Sequence, residues 1–191
     1  MKGLFAVVFL PLALAVQADW QLDPQHSKLT ASLTQNEGEA ARTEQYEVRQ
    51  LRGDISPEGV LRLPLSLDQT DVFTRLGNLP AWVNLLASQP LVTLEAQMAP
   101  ERLDQLDLGE SIIETLTFRI QTDLINQAEA IPLRFTREGL NDIRVTPAAP
   151  MALDGNALMA NPTVRTLLAL LGYQQLDPHV PVNLSARLIN R

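Results

Sequence analysis

The sequence predicts a mainly β protein: a single antiparallel β-barrel of about eight strands with two short amphipathic helices. Three observations carry that expectation. Apolar and polar residues alternate with period two in one segment after another. Tight-turn residues separate those segments. Only two stretches switch to helical spacing.

The chain opens on a leader. Residues 1–18 read as a secretory signal peptide: Lys2 supplies the positive start, residues 4–16 are apolar apart from Pro11, and Val16-Gln17-Ala18 sets small residues where a signal peptidase reads. The apolar run is shorter than the roughly 20 residues a membrane-spanning helix needs. The expected mature chain therefore starts at Asp19, carries one domain over 19–191, and is a soluble periplasmic protein with no transmembrane segment. The sequence holds no cysteine, so neither disulfides nor lipid on a cysteine can support or anchor it.

The strands follow in order. Leu29, Ala31 and Leu33 alternate with polar neighbours, and 45–55 is a weaker candidate. Ser56-Pro57-Glu58-Gly59 makes a tight turn into Leu61, Leu63, Leu65 and Leu67. Val92, Leu94, Ala96 and Met98 form the next apolar face, then Leu116, Phe118 and Ile120, then Ile131, Leu133 and Phe135. Arg137-Glu138-Gly139 provides another turn before the weaker 140–145. Val180, Val182, Leu184, Ala186 and Leu188 close the chain. Strands with one wet face and short hairpins imply antiparallel pairing. Pro64, Pro132 and Pro181 fall inside strand patterns and mark edges, bulges or strand starts, where the barrel splits or opens.

Two stretches are helical. Leu79, Trp82, Val83 and Leu86 fall at i, i+3, i+4 and i+7, as do Val164, Leu167, Leu168 and Leu171. The second has Asn161 as N-cap, Pro162 at the first helical position and Gly172 as terminator. Residues 146–161, between the preceding strand and the second helix, read as a long loop.

Composition narrows the function. The net charge is −7, and −8 once Lys2 leaves with the leader. An acidic chain repels phosphate backbones, which excludes nucleic acid as partner, and it docks poorly on anionic membranes. Aromatics make up 5% of the chain, which favours an aliphatic interior over a stacking platform. No cofactor motif is present, and the nine glycines are scattered at turns rather than grouped as a phosphate loop.

Asp23, His26 and Ser27 invite a hydrolase reading. On one strand, however, His26 and Ser27 point to opposite faces, whereas a triad needs them in contact. No Gly-x-Ser-x-Gly elbow exists, and Asp23 reads as a turn residue. Leu22-Asp23-Pro24-Gln25-His26 echoes Leu176-Asp177-Pro178-His179, so two Asp and two His could converge if the first and last strands are neighbours. Two histidines are too few to make that the leading reading, and no metal is expected. Glu37, Glu39 and Glu44 read as one solvated loop, and Asp104, Asp107 and Glu110 as another.

One face of every barrel strand points inward. The candidate lining is Leu63, Leu65, Leu94, Leu116, Phe118, Leu133, Phe135 and Leu184. Trp82 and the Leu167 helix are positioned to cover or plug a mouth. A plain packed core is the alternative use of the same residues.

Trp20-Gln21-Leu22-Asp23-Pro24-Gln25-His26-Ser27-Lys28-Leu29 resembles the opening strand of the YceI-like family: an aromatic, an apolar-Asp-Pro turn, His-Ser, then an alternating strand. The order of early hairpins, helical excursion and closing strand is also similar over most of 19–191. The chain departs from the family at Leu51-Arg52-Gly53-Asp54-Ile55, where a Gly-aromatic pair is usual, and at Leu76-Gly77-Asn78-Leu79-Pro80, where a charged Asp-His-Leu stretch is usual. It is a divergent relative. The resemblance implies a lipocalin-like barrel and a non-enzymatic, exported binding protein for a long apolar ligand, a polyisoprenoid or fatty-acyl chain. Arg49, Arg62 and Arg134 are candidate rim cations for an anionic head group. A periplasmic interaction or stress-related structural module with a filled core is the other reading, acting through the Trp82 helix. A homodimer is compatible with the edge-type prolines.

Overall fold

Trp20–Leu22 (β1), Lys28–Glu37 (β2), Ala40–Arg49 (β3), Asp54–Ile55 (β4) and Val60–Ser66 (β5) come first, followed by a single 3-10 turn and the helix α1, Asp71–Leu76. Next are Pro90–Gln97 (β6), the helix α2 (Pro100–Asp104), Ser111–Gln121 (β7), Asn126–Gly139 (β8) and Asp142–Pro147 (β9). Met151–Asp154 (β10), the helices α3 (Gly155–Ala160) and α4 (Pro162–Leu170), and His179–Asn190 (β11) complete the order. The computed structural model describes residues 20–37, 40–76, 87–88, 90–121 and 126–190. The leader lies outside them, as does the expected helix at Leu79, Trp82, Val83 and Leu86.

Every strand pairing is antiparallel. The ring runs β1, β4, β5, β6, β7, β8, β9, β11, and β11 pairs back with β1, setting Trp20 opposite Asn190. The predicted closed antiparallel barrel is thus the one observed. Ser56–Gly59 turns β4 into β5: the Gly59 N–H donates to the Ser56 carbonyl at 2.8 Å. Gly59 has φ +81, and a Cβ there would sit 2.0 Å from the Met98 carbonyl oxygen. Only glycine fits that corner.

Three walls of the barrel change partner partway up. β1 continues into β2, β4 is the continuation of β3, and β9 is followed by β10. Between Leu22 and Leu29 the chain takes seven steps, while the facing β11 takes four, from Leu188 to Leu184. The extra residues form the Asp23–Ser27 bulge, which also switches the inward face from even to odd numbers. The neighbouring wall breaks at the same height, where Gln50 takes a positive φ of 55°.

Two apolar clusters fill the barrel. The lower one joins Trp20, Ile55, Leu116, Leu133, Phe135, Ile143 and Leu188, with Leu103 and Leu106 as its floor. The short helix α2 holds that floor in place: Asp104, exposed at the end of that helix rather than in a loop, accepts from the buried Trp20 Nε1 at 2.8 Å. The upper cluster joins Leu33, Tyr46 and Val180 to Leu168, Tyr173 and Leu176. Val180 shares the face of Leu184, Ala186 and Leu188 on β11, so α4 packs on the continuation of the inner surface.

α4 forms where the sequence predicts. The Val164 N–H donates to Asn161 Oδ1 at 3.1 Å, and Gly172 has φ +89 just beyond the C-terminus. Residues 146–161 are not one long loop: they hold β10 and α3, whose N-cap Asp154 accepts from the Asn156 and Ala157 N–H groups. Four residues of strand and six of helix are too short to show a period in sequence. Pro132 marks the point where β8 loses β9 as partner, and Pro181 immediately precedes the stretch of β11 paired with β2.

Candidate functional site

The inner face of the closed ring is aliphatic. Leu63 stands opposite Leu94, Leu65 opposite Val92, Leu116 opposite Ile131, and Phe135 opposite Ile112. Opposed residues of an antiparallel pair share a face, so these side chains converge. Leu116, Leu133 and Phe135 are 3% exposed or less, while Leu63 and Phe118 are buried slightly less completely. Leu65, Leu94 and Leu184 are half-buried. The lining therefore mixes fully buried side chains with half-buried ones, of which Leu94 and Leu184 pack against the lower cluster. Trp82 lies outside the described residues.

The three candidate rim cations are elsewhere. Arg62 alternates with inward Leu61 and Leu63 and pairs with Glu95 at 3.1 Å on the outer wall. Arg134 alternates with Leu133 and Phe135 and is exposed. Arg49 pairs with Glu47 at 2.7 Å, with most of its side chain in solvent. Strand alternation, which identifies inward leucines, places the intervening arginines outside.

Two other arginines flank the interior. On β3 the inward residues are Arg42, Glu44, Tyr46 and Val48, because they stand opposite Gln35, Leu33, Ala31 and Leu29. Glu44 is thus a wall residue rather than part of a solvated loop. Its carboxylate accepts from Arg42 Nη2 at 2.6 Å, from Tyr46 Oη at 2.9 Å and from Arg75 Nη1 at 3.1 Å. The guanidinium of Arg75 lies 4.3 Å from the Tyr46 ring centre, and that of Arg42 lies 5.3 Å from the Tyr173 ring centre. Arg75 also holds Asp71 and the Gln45 carbonyl. The hydrogen bonds from Arg42 and then Tyr46 keep the Glu44 carboxyl below the usual glutamate range. Burial, then the neighbouring Tyr173 hydroxyl and Glu44, push the Tyr46 phenol well above its usual value. The network ties α1, β3 and the segment after α4 together at the upper wall. Its members lie far apart in sequence and carry no motif. The weak strand expected over 45–55 is instead the end of β3 and the separate β4, so Arg42 and Glu44 lay outside it and only the alternation of the whole of β3 could have placed them on one face with Tyr46.

The Asp23-His26-Ser27 group has a structural task. Ser27 is buried, and its hydroxyl accepts from the Arg187 N–H at 3.1 Å and donates to the Arg187 carbonyl at 3.4 Å. It stitches the β1–β2 bulge to β11. His26 is exposed and its Nδ1 meets Asp23 Oδ2 at 2.5 Å. Partial burial raises the Asp23 carboxyl, but the His26 contact and the Gln25 N–H outweigh it and lower the pKa. The second Asp-Pro-His turn is remote: Asp23 N–H bonds Arg187, whereas Asp177 receives the His179 N–H, eight positions along β11. That is about 26 Å of strand, so the two turns do not converge. Among the described residues no three His, Cys, Asp or Glu side chains are grouped to hold a metal.

Two surface clefts of about 390 Å³ each lie at the upper half. One is framed by residues 146–151 with Val182 and Asn183, the other by Met159, Arg165, Ala169 and Tyr173 with their neighbours on α4. Among the described residues no helix is long and apolar enough to cross a membrane.

No protein-family model matches the chain, and no curated protein matches it. A solved structure does: a polyisoprenoid binding domain from Saccharophagus degradans implicated in plant cell wall breakdown. It superposes with a TM-score of 0.69 over 90% of this chain and 98% of that one, at 17% identity. At that identity the likeness shows the fold alone: this chain and that domain share one barrel architecture.

Proposed function

We propose that the protein is an exported, non-enzymatic binding protein for a long apolar molecule, an isoprenoid or fatty-acyl lipid, held inside the barrel. The observation that carries this reading is the aliphatic inner face of the closed ring. Leu116, Leu133 and Phe135 are packed within it, while Leu65, Leu94 and Leu184 keep part of their apolar surface. Covering that surface with hydrocarbon gains about 25 cal/mol per Å². The likeness to a polyisoprenoid binding domain agrees with a ligand of this class. The leader at 1–18 supports export to the periplasm.

The Asp23, His26 and Ser27 side chains are occupied in a bulge, which fits a binding role better than catalysis. A filled-core interaction module is the second reading, favoured by the tight lower cluster. Native mass spectrometry of the periplasmic protein, purified without detergent, separates the two. A releasable adduct with a long hydrocarbon chain is expected. A bare mass that persists after incubation with isoprenoids and fatty acids sinks the carrier reading.

A further inference from the structure

β11 has two successive partners along one flank. Ala186 pairs with Val145 of β9, and Val182 pairs with Met151 of β10. Asn183, Leu184 and Ser185 lie between those pairs on β11, whereas residues 146–150 cover the same distance on the other side. Two of these, Pro147 and Pro150, have no N–H to offer β11. The Ala148 N–H turns away to the Pro132 carbonyl at 2.9 Å. The wall therefore arches off β11 and leaves a gap of about 390 Å³.

Residues of both faces of the wall line this surface cleft. Met151 and Val182 oppose each other on the face of Val180 and Leu184, which is the interior. Thr146 and Asn183 alternate with inward residues and line the outer side. Leu153 also shares the inner face, opposite Val180, yet it is 46% exposed while Val180 is 0% exposed. Inner apolar surface is accordingly reachable beside the arch. Neither 146–151 nor 182–184 contains a charged residue. The barrel ends are less accessible: Leu103 and Leu106 floor one, and Leu168 and Tyr173 pack over the β2–β3 side of the other.

We infer that this gap is a side window through which a hydrocarbon chain enters the barrel and comes to lie against Leu184; the inference rests on the apolar-carrier reading above. An uncharged opening lets an alkyl or prenyl chain pass without stripping water from an ion. Asn183 at the edge of the cleft is followed on β11 by the half-buried Leu184.

The test uses the wild-type protein and a diazirine-bearing geranylgeraniol, with photoadducts assigned to residues by tandem mass spectrometry. Adducts on residues 146–153 and 182–184 are expected. Adducts confined to the Leu65, Leu94 and Phe118 region would overturn the window and leave the carrier reading standing. Absence of any adduct would overturn the carrier reading and the window with it. Ala149→Trp, at an exposed position of the arch, adds a kinetic check. With an unchanged far-ultraviolet circular dichroism spectrum, association of the same probe should slow at least tenfold, and an unchanged association rate counts against the window.

Discussion

Ser27 shows how much one hydroxyl can settle. It looks like a nucleophile in sequence, yet it both receives and donates a hydrogen bond at Arg187 and so holds a bulge closed. Ser27→Ala leaves the partly buried Arg187 N–H without its acceptor, and urea unfolding should show a loss of about 1 kcal/mol. A change indistinguishable from zero would mean that water replaces the hydroxyl. Glu44 gives a pH signature. Its folded pKa lies below the ordinary 4.5, so it adds stability above that pH which disappears as the pH falls through the folded value. The melting temperature should therefore drop on acidification below 4.5. In Tyr46→Phe, which removes one of the donors to that carboxylate, the acid-dependent part of the drop should be smaller and the Glu44 carboxyl should titrate higher by NMR. The raised Tyr46 pKa has the opposite consequence: its contribution is complete below its ordinary value of 10 and declines as the pH rises further.

At the scale of elements, α4 is the clearest agreement between pattern and structure. Its cap, its proline and its apolar stripe all act locally, and Asn161 caps the helix as its spacing predicts. Asn161→Ala should cost about 1 kcal/mol, read as a lower urea midpoint with an unchanged slope. The paired elements β10 and α3 were not legible, because neither spans a full repeat of its own period. The arginines make the converse point. Alternation locates Leu63 and Leu133 inside, and the same alternation sends Arg62 and Arg134 outward. The cations that do flank the interior, Arg42 and Arg75, come from a strand with weak patterning and from a short helix.

At the scale of the molecule, the interior divides into a lower and an upper apolar cluster with half-buried residues between, and substitutions should sort accordingly. Phe135→Ala opens a void in the packed lower cluster and should lose about 3–5 kcal/mol of stability. Leu65→Ala removes a half-buried side chain, so it should cost less stability while weakening ligand affinity. Thermal unfolding with and without geranylgeraniol separates the two effects. Ligand at a hundredfold excess over its Kd should add about 2.7 kcal/mol to the wild type. If Leu65→Ala gains the same increment at every ligand concentration, Leu65 is not part of the binding surface.

The sequence by itself determined the class of fold, the inward and outward faces of the principal strands, and the helix at Pro162. All of these follow from side-chain period and local turn or cap chemistry, which neighbouring residues express without help from distant ones. Tertiary structure alone decided that Ser27 is a stitch, that the two Asp-Pro-His turns stand far apart, that Arg42 and Arg75 converge on two tyrosines, and that residues 146–150 arch away from β11. Each of these depends on which residues of one strand fall opposite which residues of another. Register is set by the closure of the whole ring, and no local window of sequence contains it.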